Sequence, residues 1–219
     1  MQAVTGDAAR QRPVLRGVFH LYAAMAAVAG AVLLLLVAGS ARAYVGAAIF
    51  AASLILLYVT SAAYHCITWT PVMRGLMKRL DYSMIFVLIG GTYTPFCLVV
   101  LNNAWGITML SVIWGVAGAG VLVRVAWPTA PKWLAVSLYV IVGWLALVAA
   151  WELVASLAPP PLVLLVLGGV LYTLGGVVYA MKKPNPWPQV LGYHELFHLL
   201  VILGSIVHYS LVAVYVLPS

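Results

Sequence analysis

Charged residues are scarce in this sequence. Only 7% of its 219 residues are Asp, Glu, Lys or Arg, and just four of these are acidic. A soluble domain carries about a quarter charged residues to solvate its surface, so this composition excludes an ordinary soluble protein. The hydrophobic residues make up 65% of the chain and come in runs of around twenty, the length that crosses a bilayer as a helix. We therefore predict an all-α integral membrane protein.

Cysteine is also rare. The two residues of this type, Cys66 and Cys97, lie in different apolar segments and provide neither a disulfide framework nor paired metal-ligand spacing. The net charge of +7 would suggest nucleic-acid binding in a soluble chain, but basic residues beside membrane spans instead report topology. We therefore expect no nucleic-acid partner.

The apolar runs predict seven transmembrane helices. Of the twelve prolines, only Pro95 lies inside such a run, and proline lacks the amide donor that a helix in lipid requires. The predicted spans are residues 17–38, 43–65, 81–101, 105–126, 133–153, 161–181 and 194–216. Residues 1–16 then form a short cytoplasmic tail, and 17–219 form a single membrane domain.

The first span has an alternative interpretation. The motif Ala41-Arg42-Ala43 follows it and resembles a signal-peptidase site. However, the apolar stretch is longer than the about 7 to 15 residues of a signal peptide, which favours a retained helix. Cleavage would leave six spans.

The distribution of basic residues predicts the orientation. Cytoplasmic loops of membrane proteins carry an excess of Lys and Arg. If the N-terminus is cytoplasmic, the outer segments hold only Arg42, whereas the inner segments hold Arg10, Arg12, Arg16, Arg74, Lys78, Arg79, Arg124, Lys132, Lys182 and Lys183. We therefore predict a cytoplasmic N-terminus and an external C-terminus.

Four ionisable residues from three predicted helices fall at one depth. His65 ends the second span, and Ser61 lies one turn deeper on the same face. Asp81 opens the third span, while His194 and His198 occupy the first turns of the seventh. All lie on the cytoplasmic side of the predicted topology. Because ionisable groups inside a bilayer are costly and usually functional, we expect these side chains to form one site.

The residue types at this depth favour a metal centre. Two histidines four residues apart project from one helical face toward one ion, and His65 supplies a third imidazole. Three protein ligands leave a fourth position for water, as in catalytic zinc sites. Asp81 could then take a proton from that water or hold it by a hydrogen bond, and Ser61 could support the ligands or polarise the substrate. The alternative is a polar network in which the same side chains only fix helix packing.

The motifs around these residues resemble a known family. They are Ser61-Ala-Ala-Tyr-His65, Asp81 within Leu-Asp-Tyr-Ser-Met-Ile-Phe, a following Gly-Thr-Tyr-Thr-Pro-Phe, His194-Glu-Leu-Phe-His198 and His208-Tyr209. In this order they look like the haemolysin III branch of the progestin and adipoQ receptor family. The resemblance implies seven helices with the N-terminus inside and a zinc ion near the inner leaflet. It implies His65, His194 and His198 as ligands, with Asp81 and Ser61 beside the metal.

Three histidine motifs leave alternatives open. Helix 1 has Val18-Phe19-His20-Leu21 where the branch usually has Thr-His-Gly, so His20 is either bonded within the bundle or part of the site. The string His194 to His198 also satisfies H-E-x-x-H, the metalloprotease signature, with Glu195 as general base. His208 lies about 15 Å further along the helix, so we expect a buried histidine paired within the bundle and outside the metal site.

The resemblance and the site together predict a function. The short N-terminal tail implies a bacterial protein of the inner membrane rather than a hormone receptor. We expect a zinc-dependent, ceramidase-like hydrolase that acts on a fatty-acyl membrane lipid and serves lipid or energy homeostasis. The alternatives are a membrane sensor or receptor with structural zinc, and the cytolysin that the family name suggests. The sequence leaves the lipid and the oligomeric state open.

Overall fold

The computed structural model describes residues 13–127 and 129–218, so the predicted inner bases Arg10 and Arg12 lie outside the described residues. Seven helices in this part of the chain are long and apolar enough to cross a membrane. They are α1 (Val18–Leu36), α2 (Ala41–Cys66), α3 (Pro71–Val100), α4 (Ala104–Ala126), α5 (Lys132–Ser156), α6 (Pro159–Met181) and α7 (Tyr193–Val216). The prediction of a seven-span, all-α membrane protein is confirmed.

The helix α3 begins well before its apolar run. The Thr70 side chain caps it by accepting a hydrogen bond from the Met73 amide, and Pro71 occupies the first turn, where a missing N–H costs nothing. Asp81 therefore does not open the helix, as the sequence suggested, but lies ten residues after its start. The intervening turns carry the basic residues that the sequence analysis assigned to a loop.

Three spans contain irregular turns. The helix α7 ends in a π-helical turn at Val212–Val216, α3 widens after Pro95 into a π-helical turn at Phe96–Val100, and α5 tightens into a 3-10 segment at Trp144–Ala149. The Tyr93 hydroxyl stabilises the 3-10 segment of α5, because it donates to the Gly143 carbonyl at 2.7 Å and accepts from the Ala146 amide at 2.6 Å. Backbone groups freed inside a membrane span need such partners.

The centre of the bundle is built around α2. Its Phe50, Leu54 and Leu57 are almost fully buried, whereas α1 and α6 bury much smaller shares of their spans. A glycine allows α2 to pack closely against α3: a Cβ on Gly91 would lie 2.2 Å from the Ser53 hydroxyl oxygen. This contact brings α2 and α3 together, and both carry predicted site residues.

Candidate metal centre

Three imidazoles converge where α2 ends and α7 begins. The Nε2 atoms of His65 and His194 are 3.2 Å apart, and one nitrogen from each of His65, His194 and His198 lies within 4.8 Å of the others. All three side chains are at most 9% exposed. The spacing of four residues places His194 and His198 on one face of α7, and the end of α2 supplies the third ring.

The arrangement fits a small cation with nitrogen ligands. Zinc binds histidine nitrogen at about 2.0–2.1 Å in tetrahedral geometry, which separates two ligand atoms by about 3.3 Å. The His65 and His194 nitrogens already have this separation, and the third ring would need to approach by about an ångström or more. Three neutral imidazoles form a ligand set that zinc uses and leave one coordination position open. The three histidines are therefore close enough to hold a metal ion.

A polar network explains this arrangement less completely. The 3.2 Å contact between His65 and His194 also suits a hydrogen bond between the rings. A packing network normally pairs its buried polar atoms. Within the described residues, Nδ1 of His198 and both ring nitrogens of His20 lack hydrogen bonds of good geometry. The described residues thus supply no well-placed partners for these atoms.

Asp81 and Ser61 lie beside the histidines, as the sequence predicted. The Asp81 Oδ2 atom is 3.9 Å from His65 Nε2, and the Ser61 hydroxyl interacts with the Asp81 carboxylate. Both side chains are buried and line the same cavity as His194 and His198. Their catalytic roles stay predictions, as do the ligand roles of the histidines.

Glu195 faces away from these groups. Its Oε1 atom accepts a hydrogen bond from Arg16 Nε, and its Oε2 atom accepts one from the Gly192 amide at 2.9 Å. The residue is fully buried in this ion pair. Both oxygens are therefore occupied, and the H-E-x-x-H protease hypothesis lacks a free general base.

The segment before α1 covers this end of the bundle. The Val14 amide donates to the Gln189 carbonyl at 3.0 Å, and Arg16 pairs with Glu195. Gly17 has a φ of 84°, which only glycine adopts readily. A Cβ at this position would lie 2.6 Å from the His65 Cβ. This covering segment was not predicted from the sequence, because its partners are more than 45 residues away along the chain.

A cavity of about 240 Å³ extends from the histidines into the bundle. Most of its wall is apolar or aromatic, but the buried Arg124 is part of it and lies 4.6 Å over the Tyr82 ring. Among the described residues, Nε and Nη1 of Arg124 have no hydrogen-bond partner. Sequence analysis had assigned Arg124 only to topology. Its position inside an apolar run was the available signal for a role in a site.

A second cavity, of about 210 Å³, continues toward the far end of the bundle. Residues shared by both walls include Tyr93, Trp144 and His208. The Nε2 atom of His208 is 3.2 Å from the Leu165 carbonyl oxygen, and its Nδ1 has no partner in the described part of the chain. His208 thus lies outside the histidine cluster, as expected, but only one of its nitrogens is paired.

Comparisons with known proteins agree with these observations. The family described as "Haemolysin-III related" matches residues 8–209. Over 167 residues, 76% of this chain and 75% of the relative, the sequence is 35% identical to the "Hemolysin-3 homolog" of Bacillus subtilis (strain 168). It is 34% identical to "Hemolysin-3" of Bacillus cereus over 181 residues, 83% of this chain and 80% of the relative.

A more distant relative belongs to an animal. The sequence is 28% identical to the "Adiponectin receptor protein" of Drosophila melanogaster over 169 residues, 68% of this chain and 37% of that protein. The family match covers His65, His194 and His198, together with Asp81 and Ser61. This chain therefore belongs to the haemolysin-III related family.

Proposed function

We propose that this protein is a zinc-dependent membrane hydrolase that cleaves an amide or ester bond of a fatty-acyl lipid. The observation that carries the proposal is the cluster of His65, His194 and His198, in which His194 and His198 line a largely apolar cavity. A zinc ion held by these side chains would activate water and polarise a carbonyl group. An apolar cavity inside a bundle of membrane-spanning helices suits an acyl chain better than a polar substrate.

The residues around the cluster suit the remaining steps. The Asp81 carboxylate accepts a proton from the attacking water, whose oxygen forms a bond to the acyl carbon. The same carboxyl group then returns the proton to the leaving nitrogen or oxygen as its bond to the acyl carbon breaks. The Ser61 hydroxyl, which interacts with the Asp81 carboxylate, orients it toward the water. The products are a fatty acid and an amine or alcohol.

Two guanidinium nitrogens of Arg124 lack hydrogen-bond partners among the described residues, which supports a substrate or product with an anionic group. A buried guanidinium without an acidic partner is unfavourable, and the released fatty acid carries a carboxylate that would pair with it. The Tyr82 ring beneath the guanidinium adds a cation–π contact that keeps it at the cavity wall. The cavity thus combines apolar room for a chain with one fixed positive charge.

The direct test is release of fatty acid by purified protein. Wild-type protein in detergent or nanodiscs is incubated with N-acyl amides and acyl esters, and free fatty acid is measured by mass spectrometry. We expect release that stops with a zinc chelator, returns with added zinc and is absent in His198→Ala. Release that persists equally in chelator and in this variant would contradict the proposal.

A second candidate is a membrane sensor in which zinc is structural. Its support is that the three histidines come from the end of α2 and the start of α7, so a bound ion would join two separate helices. Zinc that raises the melting temperature without any fatty-acid release would favour this function. The names of the two Bacillus relatives also make lysis of erythrocytes by the purified protein a necessary control measurement.

We further propose that the histidine end of the bundle faces the cytoplasm of a bacterial inner membrane. The basic residues of the described loops and helix ends support this orientation. Cys66 is exposed at the end of α2, whereas Cys97 is buried. An impermeant maleimide should therefore label Cys66 in inside-out vesicles but not in intact spheroplasts. The reverse pattern would invert the topology.

A further inference from the structure

A fourth histidine contacts the cluster from α1. His20 is 3% exposed, and its ring stacks on His198 with centroids 3.8 Å apart and an angle of 12° between the planes. The same ring meets Tyr58 of α2 edge-on at 5.1 Å. His20 is thus packed between α2 and α7, directly against one of the three clustered imidazoles.

The contact between His20 and His198 is made through ring faces. Neither nitrogen of His20 has a hydrogen bond of good geometry to any described residue, although the ring lies near the backbone of His198. Imidazole lone pairs lie in the ring plane, so two parallel stacked rings direct them side by side rather than toward one point. This geometry excludes His20 as a further ligand to the ion that His198 would hold.

The stack with His20 can orient the His198 ring, a role that a hydrogen bond usually has in metal-bound histidines. A metal-bound histidine usually donates its second ring N–H to a carboxylate or carbonyl group, which sets the orientation of the ring. His65 and His194 approach each other through Nε2. If His198 also presents Nε2, its Nδ1 is the atom that such a partner would hold, and this atom has none among the described residues.

We propose that His20 is a positioning residue for the metal centre: its ring face holds the imidazole plane of His198 in the orientation that meets His65 and His194. This inference rests on the proposed metal site and adds a residue that touches neither the ion nor the substrate. A flat ring is required at position 20, whereas its nitrogens are not.

The fold keeps the two rings in register. Arg16, four residues before His20, pairs with Glu195, which lies between the two cluster histidines of α7. Gly17 packs against the His65 Cβ with no room for a side chain. These contacts attach the start of α1 to the start of α7 and the end of α2, so a shift of the first turn of α1 would break the partly buried ion pair of Arg16 and Glu195.

The test is cobalt binding by purified protein in detergent, because Co²⁺ occupies zinc-type sites and its visible absorption reports ligand geometry. We compare wild type with His20→Phe, which keeps a flat ring, and with His20→Leu and His20→Ala, which do not. We expect His20→Phe to bind within about threefold of wild type with the same spectrum. His20→Leu and His20→Ala should bind about 10- to 100-fold more weakly with a changed spectrum, as for loss of an orienting partner.

Two controls separate positioning from general damage. The melting temperature of each metal-free variant shows whether the bundle is intact, and His208→Leu makes the same change at a buried α7 histidine outside the cluster. Wild-type affinity in His20→Leu would overturn the inference, and so would binding by His20→Phe as weak as that of His20→Leu, which would assign the role to the nitrogens. If wild type itself binds no cobalt, the metal centre fails and this inference fails with it.

Discussion

Two histidines on α7 are almost equally buried but have different surroundings. His198 is 2% exposed and contacts three other imidazoles at the start of the helix. His208 is 5% exposed, near the other end, where its Nε2 atom faces the Leu165 carbonyl. Burial therefore does not distinguish a candidate ligand from a packing histidine. Convergence of rings from separate helices does.

The difference between the two regions is tested most directly by replacing one histidine in each of them. We expect His194→Ala to lower the zinc content of purified protein from about one equivalent to near zero, because two imidazoles hold zinc far more weakly than three. The matched variant His208→Asn should retain about one equivalent. Metal analysis by mass spectrometry measures both, and equal zinc content in the two variants would remove the metal assignment.

The acid beside the cluster tests whether the centre is catalytic. We expect Asp81→Asn to lower the rate of fatty-acid release by about 10²- to 10⁴-fold, the usual contribution of a general acid–base group, while zinc content stays near that of wild type. The measurement pairs turnover with metal analysis on the same preparation. An unchanged rate would assign Asp81 to packing, and loss of zinc would assign it to binding.

A substitution of Glu195 distinguishes a structural role in the ion pair from a catalytic role in a protease. Glu195→Gln removes the charge that faces Arg16 but keeps an oxygen for the Gly192 amide. We expect a loss of about 1–3 kcal/mol in the free energy of unfolding, as for a weakened buried hydrogen bond to a charged group, with zinc retained. Thermal melts in detergent measure the stability change. A fall in turnover as large as that of Asp81→Asn, with an unchanged melting temperature, would revive the protease hypothesis.

The smallest expected difference is in stability, between alanine substitutions at two glycines. Gly17→Ala places a Cβ against His65 at a positive φ, so we expect a loss of about 1–3 kcal/mol and weaker metal binding. Gly75→Ala on the same side of the bundle meets nothing within 4 Å. There we expect a gain of about 0.4–1 kcal/mol, because alanine restricts the unfolded chain. Melting temperatures compare the two, and similar shifts would contradict the close packing at Gly17.

Several site residues were predictable because local spacing determines their geometry. The four-residue interval between His194 and His198 fixes a common helical face, and the lengths of the apolar runs put His65 at the matching end of its helix. Asp81 was correctly placed beside them, although its helix starts ten residues earlier than expected. The error arose because basic residues in the first turns of α3 resemble a loop when only apolar length is measured.

Other residues were not predictable, because their partners come from distant parts of the chain. His20 had two open interpretations, and only packing of α1 against α7 shows the stack on His198. Glu195 fits a protease motif in the sequence, whereas in the structure its side chain pairs with Arg16. Arg124 was predicted only as a topological charge, whereas the structure places it buried on the cavity wall, with two of its nitrogens lacking partners among the described residues.

The amino-acid sequence by itself determined the membrane environment, the number of spans and the residue types that end up at one depth, because apolar run length and helical periodicity are local quantities. Tertiary structure alone decided which rings touch, which acid is already paired and which charge lines the cavity. Those outcomes depend on the rotation and approach of helices, which are set by side-chain packing between segments that lie far apart along the chain.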